Sequence, residues 1–141
     1  AACLALGATI HTSQRDIPAD DFFTGLFETA LEDDEIITKI SFPVASKAAY
    51  VKFPNPASRY ALVGVFVADG PAGIRVAVTG AGQDGVFRVP EMESELSGSF
   101  SADAIADVKV SADDLNADIH ASADYRAHLI IVMAKRAVAK I

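Results

Sequence analysis

Two apolar segments separated by a tight turn constrain the fold of this chain more than any other feature. Residues 60–68 read Tyr-Ala-Leu-Val-Gly-Val-Phe-Val-Ala, and residues 74–80 alternate Ile74, Val76 and Val78 with smaller or polar side chains. The sequence Asp-Gly-Pro-Ala-Gly at 69–73 is typical of a turn. Two strands joined by so short a loop predict an antiparallel hairpin.

Further short elements are predicted before and after this hairpin. Strands are expected at 9–12, 15–18, 36–42 and 48–54, and residues 86–88 add a short piece. Gly7 is typical of the residue that closes a helix, so the chain is expected to begin in the last turn of one. A short helix is expected to start with Pro18 in its first turn and to carry an apolar stripe of Phe22, Phe23, Leu26 and Phe27.

After Pro90 the pattern becomes helical. Met92 and Leu96 lie four residues apart, on one helix face. Ser101 and Ser122 are expected to cap helices over 102–108 and 123–141. In the last helix an apolar face is predicted, with four basic residues outside it: Arg126, Lys135, Arg136 and Lys140. Strands first and helices after them predict an α+β fold, with helices packed on one side of a small antiparallel sheet.

Composition excludes several classes of function. The chain has 141 residues, a one-domain length, and its formal net charge of -7 argues against a nucleic-acid partner. The single cysteine, Cys3, can form neither an internal disulfide nor a metal cluster, and it fits a reducing cytoplasm. No apolar run approaches the roughly 18 residues of a membrane span, so none is expected.

Motifs that carry catalysis are sparse. His11, His120 and His128 lack the spacing of a zinc site, so none is expected. No histidine or aspartate partner is evident for Ser94, Ser97 or Ser99, so a hydrolase is not supported. The acidic run at 32–35 favours a solvated turn over a cation site.

A Gly-x-Gly-x-x-Gly string occupies residues 80–85. A dinucleotide site needs a helix directly after such a string, because the helix N-terminus binds the pyrophosphate. Here Val86-Phe87-Arg88 follows instead, which favours a turn between two strands.

One constellation stands out around the loop at 54–60. Lys52 lies inside an apolar strand, and a Pro-rich loop carrying Arg59 and Tyr60 follows it. An ammonium group and an aromatic ring in this arrangement suit one flat ligand, with the charge at its polar edge and the ring against its face. A hairpin with a simply solvated lysine is the alternative, and the residues alone leave it open.

The ordered set of segments resembles a known family, the FAD-carrying medium subunits of molybdenum hydroxylases of the carbon monoxide dehydrogenase type. The resemblance extends over nearly the whole chain, and its segments are residues 15–23, 31–38, 42–43, 52–65, 76–80 and 118–138.

This resemblance implies a three-stranded antiparallel sheet packed with a C-terminal helical bundle. Residues 1–45 would be the remnant of an FAD-binding domain. Residues 46–141 would be the C-terminal domain, with the sheet at 46–88 and the helices at 90–141. It also implies electron transfer from [2Fe-2S] clusters to FAD, beside a molybdopterin-binding large subunit and an iron–sulfur small subunit.

The resemblance assigns flavin contacts to Lys52, Ile37 and Tyr60, and no catalytic or metal-binding residue. The family's Gly-rich pyrophosphate loops have no counterpart here, and the first residues resemble the middle of a family segment. The chain is therefore expected to be a fragment that is inactive alone, and its FAD to be held only by the complete subunit. A stand-alone α+β binding module with a Lys52/Tyr60 pocket is the alternative. Carbon monoxide, an N-heterocycle or an aldehyde remain open as substrate of the complex.

Overall fold

The computed structural model describes residues 1–141 and contains four helices and nine strands. In chain order they are α1 (Ala2–Leu6), β1 (Thr9–Thr12), β2 (Asp16–Pro18), α2 (Ala19–Phe22), β3 (Phe23–Gly25), β4 (Glu28–Thr29), β5 (Ile37–Ser41), β6 (Lys47–Pro54), β7 (Ala61–Gly70), β8 (Gly73–Gly82), β9 (Gly85–Arg88), α3 (Pro90–Gly98) and α4 (Ala123–Val138).

The main sheet is antiparallel, with the strand order β6-β7-β8-β9. Its two long strands form the predicted hairpin, in which Val65 pairs with Val78 and Gly70 with Gly73. Alternate side chains of a strand face opposite sides of its sheet. The valines on one side therefore pack with α3 and α4 in the largest apolar core, which includes Val63, Val65, Val67, Val76, Val78, Met92, Ile130 and Met133.

A small sheet with the order β2-β1-β5 lies in the first part of the chain. Ile10 of β1 pairs with Ile17 of β2 and with Ile40 of β5. Ile10 and Ile17 share a separate core with Ala8, Ala19 and Phe22. This segment thus has its own apolar centre. The hairpin of β3 and β4 follows it.

Helix α1 connects the two sheets. Leu4 and Ala5 pack on Ala68 and Ala77, which lie on the side of the main sheet away from α4. The helix ends at Leu6 and is capped by Gly7, which has a left-handed φ of 64° and donates its N–H to the Leu4 carbonyl. The main sheet is therefore covered by helices on both sides.

The predicted α+β class is confirmed, and the strands expected at 48–54, 60–68 and 74–80 are present as β6, β7 and β8. The short strand β9 pairs with β8 and extends the sheet by a fourth strand. Ser122 caps α4 as predicted, because its Oγ accepts a hydrogen bond from the Tyr125 N–H at 3.2 Å. No helix is long and apolar enough to cross a membrane.

The helix predicted from Pro18 to Phe27 is wrong in its second half. Pro18 precedes the helix as its N-cap, and the helix ends at Phe22. Thr24 and Gly25 are poor helix formers, and burial of Phe22 in the small core is complete without another turn. Leu26 and Phe27 instead lie at the tip of the β3–β4 hairpin, where Phe27 is 97% exposed.

The helix predicted over 102–108 is replaced by turns. The Ala104 N–H bonds to the Ser101 carbonyl and the Ala106 N–H to the Asp103 carbonyl, three residues apart in each case. Aspartates and the β-branched Val108 disfavour continuation into a helix. Ile105 is nevertheless fully buried.

Candidate functional site

The loop between β6 and β7 is built around Asn55. Its side-chain Oδ1 accepts hydrogen bonds from the N–H groups of Ala57 at 2.9 Å and Ser58 at 3.2 Å. Its backbone N–H donates to the Tyr60 carbonyl at 2.7 Å, and its carbonyl accepts from the Arg59 N–H at 2.9 Å. An asparagine that bonds the next residues' backbone in this way defines the turn. The loop therefore has a fixed shape.

Lys52 is tied to this loop. Its Nζ donates to the carbonyl oxygen of Arg59 at 3.0 Å. Arg59 has a left-handed φ of 65°, a conformation that costs free energy in a residue with a Cβ. The ammonium keeps two more donors for other partners. Tyr60 is 80% exposed beside it. The structure thus brings Lys52 and Tyr60 together at one end of the main sheet.

The sheet surface next to Lys52 is aromatic. Lys52 pairs with Gly64 on β7, and Tyr50 pairs with Phe66. Because Gly64 has no side chain, the Tyr50 ring can lie over it. The rings of Tyr50 and Phe66 are 6.3 Å apart, and burial raises the pKa of the Tyr50 hydroxyl. An ammonium beside a flat aromatic surface suits a planar, polar-edged ligand.

Ile37 lies apart from the other two candidate residues. It is at the start of β5, at the edge of the small sheet, where it pairs with Thr12 and is 40% exposed. No hydrogen bond or apolar cluster joins it to Lys52 or Tyr60. The structure therefore places the three predicted flavin contacts on two different sheets.

The concave parts of the surface lie elsewhere on the chain. Cavities of about 560, 540 and 500 Å³ border the β8–β9 turn, α3 and the β3–β4 hairpin. Ile37, Lys52 and Tyr60 line none of the three. No three His, Cys, Asp or Glu side chains are grouped to hold a metal ion. Within these 141 residues the candidate site is an open surface.

A Ser–His–Asp contact on the small sheet escaped the sequence prediction. His11 Nδ1 lies 2.6 Å from Asp16 Oδ1, and its Nε2 lies 2.8 Å from Ser41 Oγ. The three residues come from β1, β2 and β5, and only strand register brings them together. None of them lines a cavity described above, so an acyl substrate has no pocket there. The contact instead fastens three strands to one another.

Two buried charges also differ from the prediction. Glu35 was expected in a solvated turn, but its side chain is 0% exposed and accepts hydrogen bonds from Arg15 at 3.0 and 3.1 Å. Bonds from Arg15, from the Thr12 hydroxyl and from the Glu32 N–H lower the pKa of Glu35 from 4.5 to about 2. The acidic turn is thus anchored by an ion pair.

Arg126 was predicted outside the apolar face of α4, and this is wrong. Its guanidinium is buried, and it donates to the carbonyls of Leu62 at 2.7 Å and Gly80 at 3.1 Å and to Asp118 at 2.7 Å. Hydrogen bonds from the backbone, first that of His120, and the charge of Arg126 lower the pKa of Asp118. Arg126 thereby holds the ends of β7 and β8 below the candidate loop.

Comparison with known sequences links the chain to one group of proteins. Residues 1–45 match the family model of the FAD binding domain in molybdopterin dehydrogenase. The nicotine 6-hydroxylase medium subunit of Paenarthrobacter nicotinovorans is 33% identical over 135 residues, which cover 89% of this chain and 47% of that protein. The carbon monoxide dehydrogenase medium chain of Hydrogenophaga pseudoflava is 28% identical over 136 residues, which cover 89% of this chain and 47% of that protein. This chain thus spans about half the length of these relatives.

Solved structures show the same fold. The Cu,Mo-CO dehydrogenase in its cyanide-inactivated form matches with a TM-score of 0.81 and 26% identity, over 98% of this chain and 54% of that one. Quinoline 2-oxidoreductase from Pseudomonas putida 86 matches in fold, with a TM-score of 0.77 and 22% identity. The match covers 98% of this chain and 53% of that one. In sequence and in fold, this chain therefore resembles the FAD-binding medium subunits of molybdenum hydroxylases of the carbon monoxide dehydrogenase type.

Proposed function

We propose that this chain is the C-terminal part of the flavoprotein subunit of a molybdenum-containing dehydrogenase. In the complete complex that subunit passes electrons from [2Fe-2S] clusters to FAD and on to an acceptor. The observation that carries the proposal is the FAD-binding-domain match over residues 1–45, in a chain of which 98% shares the fold of a chain of Cu,Mo-CO dehydrogenase. The chain alone is proposed to be inactive.

The proposed division places the end of the FAD-binding domain at residues 1–45 and the C-terminal domain at 46–141. Two observations support this boundary. The family match stops at residue 45. The small core of Ile10 and Phe22 is also separate from the main core of β6–β8, α3 and α4.

Three side chains are proposed to meet the flavin. The Lys52 ammonium would donate to the polar edge of the ring system, since it is exposed and keeps donors beyond its bond to Arg59. Tyr60 would offer an aromatic face, and Ile37 an apolar contact from the small sheet. When bound, FAD supplies the redox chemistry, accepting and releasing electrons. The protein's part is to orient the ring and shield it from water.

The pyrophosphate of FAD needs donors that these residues do not offer. The Gly-rich string at 80–85 runs from the end of β8 through a turn at 83–84 into β9, and Gly82 pairs with Gly85. No helix begins there to donate N–H groups to a phosphate. The diphosphate half of the cofactor is therefore proposed to bind elsewhere in the complete subunit, and this chain alone is expected to bind no FAD tightly.

The proposed partners are a molybdopterin-binding large subunit and an iron–sulfur small subunit, in the cytoplasm. The medium subunits and chains that match this sequence support multi-subunit assembly. The substrate would meet the large subunit, so carbon monoxide, an N-heterocycle or an aldehyde are all compatible with the residues described.

Purification of the complete subunit, expressed with its neighbouring subunits, tests this function. The expected product is a yellow complex with one FAD per medium subunit, reduced anaerobically when electrons enter through the iron–sulfur subunit. This chain alone should be colourless after incubation with FAD and gel filtration. A complete protein that is free of flavin and binds neither partner would support the stand-alone binding module instead.

A further inference from the structure

Asp20 lies between two arginines of the main sheet. Its carboxylate accepts hydrogen bonds from Arg75 Nη2 through both oxygens. Its Oδ1 also accepts from Arg88 Nη1 at 3.2 Å. Burial alone would raise the pKa of Asp20, but the bonds and charges of Arg75 and Arg88 outweigh it and lower that pKa. The residue is therefore an anion held by two cations.

Arg75 depends on Asp20 alone for charge compensation. Its side chain is 6% exposed, Asp20 is its sole ion-pair partner, and its Nε bonds to nothing. A Cβ at Gly7 would lie 2.7 Å from its Nη1, so the end of α1 closes over the guanidinium. A buried arginine that loses its one anion is an uncompensated charge, which a folded protein avoids by opening or rearranging.

Arg88 has a second anion and acts as a link. It donates to Glu93 of α3 from Nε at 2.9 Å and from Nη2 at 2.5 Å. Glu93 Oε1 in turn accepts the Val76 N–H at 2.9 Å. The four side chains thus form a row of alternating cations and anions with no net charge, in the order Arg75, Asp20, Arg88 and Glu93. Three of the four residues belong to the main sheet and α3, and Asp20 alone comes from the first segment.

The other connections between the two sheets are apolar and include no ion pair. Helix α1 contributes Leu4 and Ala5 against two alanines of the main sheet, with Ala1, Leu6, Phe66 and Val86 packed around them. Residues 42–46 join β5 to β6 without regular structure, and Phe42 and Val44 are exposed there. Asp20 is well placed to act on the small sheet, because Ala19 and Phe22 on either side of it belong to the small core.

We propose that Asp20 is a positioning residue, which sets the small sheet carrying Ile37 in a fixed place relative to the main sheet carrying Lys52 and Tyr60. The effect of this positioning on flavin binding rests on the proposed function, in which both sheets contact the same ring. The coupling between the sheets does not rest on it, because it follows from the ion pairs of Asp20 with the buried Arg75 and with Arg88. Asp20 itself touches no proposed cofactor contact.

The test compares Asp20→Asn with Asp21→Asn in the full chain. Asp21 is the next residue of α2, is exposed and forms no ion pair. Spin labels at positions 39 on β5 and 84 in the β8–β9 turn, with Cys3→Ser, report the distance between the sheets. The Asp20→Asn variant should broaden this distance distribution and speed amide exchange in α1, α2 and β1 at least tenfold, with β7 unchanged. The Asp21→Asn variant should change neither.

Asp20→Glu keeps the charge and provides the second variant should Asp20→Asn not fold. We expect its distance distribution to be narrower than that of Asp20→Asn. The mean distance should differ from that of the unsubstituted chain, because the carboxylate is one methylene farther from α2. The positioning role would be overturned if Asp20→Asn and Asp20→Glu both left the distance distribution unchanged. It would also be overturned if Asp20→Asn and Asp21→Asn broadened that distribution equally. In the complete subunit, Asp20→Asn should lower FAD retention. A subunit that never holds FAD would defeat the proposed function while leaving the distance result intact.

Discussion

The ammonium of Lys52 donates a hydrogen bond to the backbone carbonyl of Arg59 at 3.0 Å, across the mouth of the β6–β7 loop. Arg59 has a left-handed backbone, and Tyr60 next to it points into solvent. The lysine therefore does more than offer a charge. It holds the carbonyl of a strained residue and so fixes the loop that presents the tyrosine.

Replacing Lys52 by methionine should loosen this loop in the isolated chain. The lost hydrogen bond is exposed, so we expect a cost of at most about 1 kcal/mol in the free energy of unfolding. Amide exchange should become faster at 57–60 and stay unchanged in α4. Lys47→Met is the matched control, because Lys47 is on the same strand and lies over the Phe100 ring at 4.8 Å. Equal amide exchange at 57–60 in the two variants would show that the Lys52 hydrogen bond does not order the loop.

Replacing Arg126 by methionine should be far more costly. The change leaves the carbonyls of Leu62 and Gly80 without their donor in a buried site. We expect a loss of about 3 kcal/mol, measured by urea unfolding monitored by circular dichroism. Arg136→Met, on the exposed side of the same helix, should stay within about 0.5 kcal/mol. A cost below 1 kcal/mol for Arg126→Met would contradict the described contacts.

Acid should weaken the chain through Glu35. Its pKa is lowered to about 2 in the folded chain, against an ordinary 4.5. The stabilisation is therefore fully present above about pH 4.5 and is lost as the pH falls through about 2. The difference in urea midpoint between the unsubstituted chain and Glu35→Gln should be constant at neutral pH and shrink below pH 4.5. Asp33→Asn, which removes an exposed unpaired carboxylate, should show no such trend, and a difference independent of pH would refute the assignment.

Two glycines should respond oppositely to alanine. Gly80 has a φ of 82°, and a Cβ there would press against the Ala61 carbonyl oxygen. We expect Gly80→Ala to cost about 2 kcal/mol. Gly98, at the end of α3, has open space around it and should gain up to about 1 kcal/mol from the same change. Thermal unfolding of both variants measures the contrast, and similar midpoints would speak against the clash of a Cβ at position 80 with the Ala61 carbonyl.

Local patterns predicted most of the fold. The alternation of Val76 and Val78, the turn at 69–73 and the cap at Ser122 each depend on neighbouring residues, and each was confirmed. The spacing of Arg126 also indicates burial. Arg126 lies four residues before Ile130 and seven before Met133, so helical periodicity puts it on the buried face.

Contacts set by strand register could not be predicted in this way. Glu35 meets Arg15 twenty residues earlier, and Ser41 meets His11 thirty residues earlier, only because β1 pairs with both β2 and β5. Asp20 of α2 bonds to Arg75 of the main sheet, 55 residues later in the chain. The roles of Lys52, Ile37 and Tyr60 came from family resemblance, and they stay predictions.

The flavin content of the complete subunit tests the central claim most directly. The unsubstituted subunit, Lys52→Met and Lys47→Met would be purified in parallel, and FAD per subunit and the flavin reduction potential would be measured. We predict one FAD in the unsubstituted subunit and in Lys47→Met, and less FAD or a shifted potential in Lys52→Met. Equal flavin content and equal potential in all three would remove Lys52 from the site, and a complete subunit without flavin would contradict the account as a whole.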